Sequence, residues 1–349
     1  MTTRVLRAGK TAAPLPARRR GMHLRRMAPA RGGNGADGAG GNGITSRAWW
    51  PWVKRALTAV FFVLVGYMLY RFASTVKWPE VAAAIRAYPW PVLGAACVLA
   101  AGSHLLYSTY DLLGRHYTGH KLATTTVMKV TFISYAFNLN LGSLVGGIAF
   151  RYRLYSKLGL DNGQVTRIVT LSMLTNWLGY FLLAGAMFTF WPLEMPPQWK
   201  MDSGSLPFLG IGMLAVVAAY LVMCGVSSRR QWTIRGHELN LPSLRVAALQ
   251  LGMSCANWLL ISGIVYVLMP DQVGFTDVLT VLLIAAVAGV ITHVPAGLGV
   301  LEAVFVALLA HQAPSSQLLA ALLTYRAVYY IAPFAIALVA YLATEARRR

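Results

Sequence analysis

The sequence predicts an all-α polytopic membrane protein: six transmembrane helices and two opposed re-entrant helical hairpins arranged as an inverted repeat. Three observations predict it. Only 12% of the 349 residues are charged, and mean hydropathy is +0.55, whereas a soluble domain carries about 25% charged residues. Eight apolar segments come close to or exceed the roughly 20 residues that a spanning helix needs. The basic residues lie in a tail and in short gaps, as in a multi-span protein.

The formal charge is +20, from 31 Lys+Arg against 11 Asp+Glu. Such a balance suggests nucleic acid until the charges are located. Twelve of the basic residues fall in the first 55 positions, and most others separate apolar runs. Nucleic acid is therefore not an expected partner. Residues 1–50 are rich in Arg, Gly, Ala and Pro and have no apolar stretch before Trp49. They read as a disordered basic cytoplasmic tail that touches anionic lipid, followed by a single transmembrane domain over 51–349. Cys97, Cys224 and Cys255 each sit in an apolar run, and none has metal-ligand spacing. They read as buried small hydrophobes, and no metal or cofactor is expected.

The apolar segments are 56–73, 91–114, 124–150, 165–190, 207–226, 246–269, 278–310 and 318–343. Six read as plain spans. Segment 124–150 is interrupted by Asn138, Asn140, Gly142, Ser143, Gly146 and Gly147. Segment 278–310 is interrupted by His293, Pro295, Gly297 and Gly299. Pro and clustered Gly break helices. If all eight segments cross, the loops after the first span place six basic residues in the cytoplasm and nine outside, against the positive-inside rule. If the two interrupted segments dip in and return, twelve are cytoplasmic and three are outside. The second topology satisfies the rule and puts both termini in the cytoplasm. Its hairpins enter from opposite sides, so 91–190 and 246–343 repeat as span, hairpin, span in inverted sense. Transporters built this way bind cargo near the midplane at broken helices. The stretch Trp78–Trp90 reads as an outer interfacial helix.

Charges inside spans cost about 2.5–3.5 kcal/mol each on insertion scales, so those present need a reason. Glu302 lies three residues past Gly299 in PAGLGVLEAVF. It can pair with an arginine, bind a proton, bind a cationic headgroup or lock the hairpin. Arg326, about nine residues into the last span, lies roughly 13 Å deep and should have an anionic partner, Glu302 first or else a lipid phosphate. Arg151 and Arg153 follow the Gly pair of the first hairpin in GGIAFRYRLYSKLGL. Arginine suits bidentate phosphate recognition, but the pair also fits an ordinary positive-inside cluster, as does Lys157. His293 precedes the second tip and is a candidate cavity residue. Asp111 and Arg115, four apart on one helix, read as a local pair. His104, Asn176 and Asn257 read as interhelical hydrogen-bonding groups. No Walker A, HExxH or GxSxG sequence is present, and no catalytic set is expected.

Two stretches, NLNLGSLVGGIAFRYRLYSKLGL (138–160) and PAGLGVLEAVFVALL (295–309), resemble the lysylphosphatidylglycerol synthase membrane-domain family. The resemblance covers about 56–343. Ala296 and Leu301 depart from the family's PGGLGxRE pattern, and Leu301 removes a charge that would sit beside Glu302. The resemblance implies a flippase-like, free-standing bacterial inner-membrane protein. In two-part members an aminoacyl-transferase domain makes the charged lipid and the membrane domain translocates it. No such domain follows Arg349 in this sequence, so lysyl transfer is not expected of this polypeptide.

The function these readings favour is translocation of an anionic or aminoacylated phospholipid, or a related lipid phosphate, between leaflets. Arg151, Arg153, Glu302, Arg326 and His293 would form the site. Asn138, Gly142, Gly146, Gly147, Pro295, Gly297 and Gly299 would form the tips and hinges. A proton-coupled small-solute transporter and a non-transporting membrane partner of a lipid-biosynthetic enzyme are the alternatives.

Overall fold

The computed structural model describes residues 78–191, 193, 203–227, 231–234, 237–292 and 297–346, with isolated residues between 52 and 74. The chain divides into a short first unit, Met1–Ala56, and a second, Leu57–Arg349, that holds the helical bundle. The expected tail and the span at 56–73 lie outside the described residues, apart from isolated helical positions.

An interfacial-length helix α1 (Trp78–Arg86) precedes α2 (Trp90–Ser108) and α3 (Tyr110–Thr118), which together make one span. Pro89 caps α2 in extended geometry, since Pro lacks the N–H that a helix start leaves unused. Next come α4 (Thr124–Leu141), a π-helix π1 (Ser143–Ala149) and α5 (Phe150–Lys157). The long span α6 (Asn162–Phe190) starts from a reciprocal capping box between Asp161 and Gln164. It is followed by α7 (Leu206–Val226), α8 (Leu244–Leu268), α9 (Phe275–Thr292) and α10 (Val300–Leu309). The chain closes with α11 (Ser315–Tyr325), a second π-helix π2 (Arg326–Ile331) and α12 (Ala332–Ala346), one continuous 32-residue span.

Six helices among the described residues are long and apolar enough to cross a membrane. Five match predicted plain spans. The sixth is α9, the first part of the second interrupted segment, and its 18 residues extend about 27 Å. Both interrupted segments are broken where the sequence placed the glycines. Gly142 adopts φ 84° at the end of α4 and Gly299 φ 79° before α10, a region that L side chains avoid. The arms lie against one another: π1 packs on α4, and α10 packs on α9.

The all-α bundle stands, with one short addition in a loop. The predicted cytoplasmic loop 227–245 carries two antiparallel strands, β1 (Gln231–Ile234) and β2 (His237–Asn240), paired from Gln231↔Asn240 to Ile234↔His237. The run QWTI has the β-branched and aromatic content that favours a strand, over too few residues for a hydropathy window to register.

Small residues allow close helix approaches, as expected where apolar burial against lipid gives little drive. Gly185 of α6 lies against the Gly210 carbonyl of α7, and Gly179 of α6 lies against Ser254 of α8. Gly146 of π1 leaves no room for a side chain, since a Cβ there would collide with the backbone of Phe137 and Asn138. Gly146→Val is therefore expected to cost about 1–3 kcal/mol, read as a lower melting temperature in detergent. Gly94→Ala, where a Cβ meets nothing within 4 Å, should cause no loss. Among the cysteines, Cys224 is buried, Cys255 half-buried and Cys97 exposed, and none forms a disulfide among the described residues. Cys97 thus differs from the expected burial, because its face of α2 points away from the bundle.

Candidate functional site

At the second break, Arg326 is held from three directions. Its Nε donates to Glu302 Oε1, and its Nη2 donates to Glu302 Oε2 at 3.0 Å and to the Gly297 carbonyl at 2.8 Å. Glu302 Oε2 also accepts from the Gly299 N–H at 3.0 Å. The same carboxylate thus caps the start of α10, where it meets the positive end of the helix, and forms a two-pronged pair with the guanidinium. The Arg326 side chain is 7% exposed and that of Glu302 16%. The guanidinium carbon lies 5.5 Å from the Tyr330 ring centroid. Burial of two charges is tolerable only with such complete bonding.

At the first break the polarity is reversed. Arg151, in α5 just past the break, donates from Nε to Asp111 Oδ2 at 3.0 Å and from Nη1 to the Gly147 carbonyl at 3.0 Å. Its Nη2 lies 3.4 Å from Ser172 Oγ. The Tyr155 hydroxyl donates to the same Asp111 oxygen at 2.9 Å. Asp111 is fully buried and Arg151 nearly so. Asp111 therefore pairs across 40 positions and not with Arg115. The Arg115 guanidinium instead reaches the Leu122 carbonyl and Thr124 Oγ1 beyond the helix end.

Arg153, also predicted for the site, donates to the Tyr341 hydroxyl at 3.0 Å and lies 3.4 Å from Glu345, which also takes Lys157. These contacts tie α5 to the end of α12. Asn138 accepts the Gly142 N–H through its carbonyl, closing α4, and its side-chain oxygen faces Gly147. Gly297 and Gly299 both have positive φ. His293 and Pro295 lie outside the described residues.

His104 and Asn257 make the interhelical hydrogen bonds expected of them, but sequence reasoning missed the tyrosine hydroxyls and carbonyls that complete the network. Tyr135 and Tyr329 share a hydroxyl–hydroxyl bond of 2.7 Å. Ser103 Oγ lies 2.9 Å from the Tyr329 hydroxyl and donates to Asn257 Oδ1 at 2.7 Å. His104 Nε2 is 3.1 Å from the Tyr329 carbonyl, and since a carbonyl only accepts, that nitrogen carries the proton. Asn140 Nδ2 reaches the Tyr330 carbonyl at 3.3 Å. The signal available was the run of Tyr residues at helical spacing, in Tyr107–Tyr110 and Tyr325–Tyr330, which apolar patterning treats as packing. Among the described residues no group of three or more His, Cys, Asp or Glu is placed to hold a metal ion.

Comparison with known proteins gives a consistent picture. Residues 53–337 match the family model described as "Lysylphosphatidylglycerol synthase TM region". The chain is 48% identical over 301 residues to "Inner membrane protein YbhN" of Escherichia coli (strain K12), covering 86% of this chain and 95% of the relative. It is 32% identical over 281 residues to "Uncharacterized protein slr0712" of Synechocystis sp., covering 80% and 87%. It is also 22% identical over 295 residues to "Phosphatidylglycerol lysyltransferase" of Staphylococcus aureus (strain COL), covering 82% of this chain but 33% of that protein.

Proposed function

The chain belongs to the lysylphosphatidylglycerol synthase transmembrane-region family, and from that premise we propose that it moves a lipid between leaflets. The cargo class is an anionic or aminoacylated phospholipid or a related lipid phosphate. The observation that carries the reading is Arg326, a buried guanidinium held at a broken helix by Glu302 and a tip carbonyl. Non-helical backbone at membrane depth is stable only in protein or beside a wet cavity, and there a guanidinium fork matches a phosphate.

In this reading the two broken segments are re-entrant hairpins of opposite sense, related as inverted repeats, with both termini cytoplasmic. The asymmetry of loop arginines and lysines supports that orientation. The likeness to an inner membrane protein supports that membrane. A lipid phosphate takes the place of Glu302 on Arg326 while the acyl chains stay in the bilayer. Arg151, committed to Asp111 and Gly147, locks the first tip, and Arg153 holds the tip's returning arm to α12. The likeness to part of a phosphatidylglycerol lysyltransferase supports a lipid-modifying enzyme as a partner.

The test is reconstitution into liposomes with fluorescently labelled phosphatidylglycerol and an external quencher. Protein-containing vesicles should lose protected fluorescence faster than empty ones, and Glu302→Gln should slow that loss. Equal rates in loaded and empty vesicles across anionic, zwitterionic and aminoacylated headgroups would end the proposal.

A further inference from the structure

The six residues of π2 join the two broken helices. At its first residue, Arg326 holds the second tip through Gly297 and Glu302. At its other end, the Tyr329 carbonyl accepts from His104 of α2, and the Tyr330 carbonyl lies on Asn140 of α4. Asn140 is two residues from Gly142, where the first break begins, and the preceding turn of α4 at Phe137 and Asn138 is the surface on which Gly146 rests. The Tyr329 side chain adds a hydroxyl bond to Tyr135, also on α4. One short element therefore touches both tips.

A π-helix bonds i to i−5, as the Ala332 N–H does with the Ala327 carbonyl, and carries one residue more than an α-helix between the same flanks. Pro333, four residues past Tyr329, has no N–H to offer the Tyr329 carbonyl in α register, and His104 and Asn140 take the Tyr329 and Tyr330 carbonyls. Each clamp also keeps a buried atom with no hydrogen-bond partner among the described residues, His104 Nδ1 and Asn140 Oδ1. Both side chains thus have capacity for a second bonding arrangement.

We propose that π2 is a register switch through which each tip regulates the other. In the observed state the π register presents the Tyr329 and Tyr330 carbonyls to the first repeat and the Arg326 fork to the second. Slippage to α register turns residues by about 100° per position. That movement withdraws the carbonyls from His104 and Asn140 and loosens Arg326 on Glu302 together. Displacing Glu302 from Arg326 is then felt at the first break, and disturbing Asn140 is felt at the second. The coupling concerns the two tips alone and holds whatever the cargo is.

Single-cysteine reporters test it in the purified full-length protein, with Cys97, Cys224 and Cys255 replaced by alanine. Leu144→Cys reports the first tip and Leu298→Cys the second, each by its rate of alkylation with a maleimide. Asn140→Leu should change the rate at Leu298→Cys by about fivefold or more, and Glu302→Gln should do the same at Leu144→Cys, since coupling is reciprocal. Deleting Val328 collapses π2 to α while keeping the faces of α11 and α12. In that background the distant responses should vanish and the near ones remain. Asn140→Ser, which also loses the bond to Tyr330, serves if the leucine variant does not give monodisperse protein. Distant reporters that do not move in folded variants, or that still move after the deletion, overturn the switch. Neither readout involves transport, so failure here and failure of the lipid reading are separate results.

Discussion

Arg151→Met is expected to be the most destabilising single change in the membrane domain, by about 3–5 kcal/mol. It leaves Asp111 fully buried with only the Tyr155 hydroxyl as a partner. The isolated carboxylate must then either stay charged in a low-dielectric interior or take up a proton, and both are costly. The double variant Asp111→Leu/Arg151→Met removes both charges and should recover most of the loss, because an ion pair replaced whole by apolar groups is often near neutral. Thermal unfolding in detergent, read by tryptophan fluorescence or by loss of the monodisperse peak, checks both. A double variant as unstable as the single one would show that Arg151 acts by packing and not by pairing.

At the second break, on the proposed lipid-translocation reading, Arg326→Lys should leave the fold largely intact and slow lipid movement. Lysine keeps the charge that Glu302 needs, but it presents a single ammonium where Arg326 donates from both Nε and Nη2. Loss of one charge-assisted bond is worth about 1.5–3 kcal/mol, so labelled-lipid movement is expected to fall about tenfold to a hundredfold, with a much smaller change in melting temperature than Arg151→Met produces. A folded lysine variant that moves lipid at the unmodified rate would remove the guanidinium fork from the transport path.

The helices were legible in the sequence because hydropathy averages over about 20 residues, and individual errors cancel over that length. The breaks at Gly142 and Gly297–Gly299 were legible because glycine has few other reasons to cluster in an apolar run. Arg326 and Glu302 could be matched because each is deep, opposite in sign and without a local alternative. Asp111 shows where this logic stops. It has a basic residue at i+4, and sequence spacing favours that neighbour, whereas the true partner comes from an element 40 positions away whose approach depends on how π1 folds back on α4. The Ser103–Tyr329–Tyr135 bridge was illegible for a related reason. Tyrosine at helical spacing serves equally as packing and as a hydroxyl donor, and only the three-dimensional meeting of α2, α4 and π2 decides between them. The strands β1 and β2 were missed because a hydropathy window longer than the whole hairpin cannot see four-residue elements.

The opposite polarity of the two ion pairs has an electrical consequence. Asp111 with Arg151 and Glu302 with Arg326 sum to zero, each positive charge lying within hydrogen-bond reach of a negative one. A membrane potential does work of about 2.3 kcal/mol per 100 mV on an elementary charge carried across the bilayer, but it does almost none on a neutral pair that moves as a unit. Voltage therefore gives the resting protein no preferred direction through these four groups. Any voltage sensitivity must enter through other charged side chains or through the charge of whatever occupies the site.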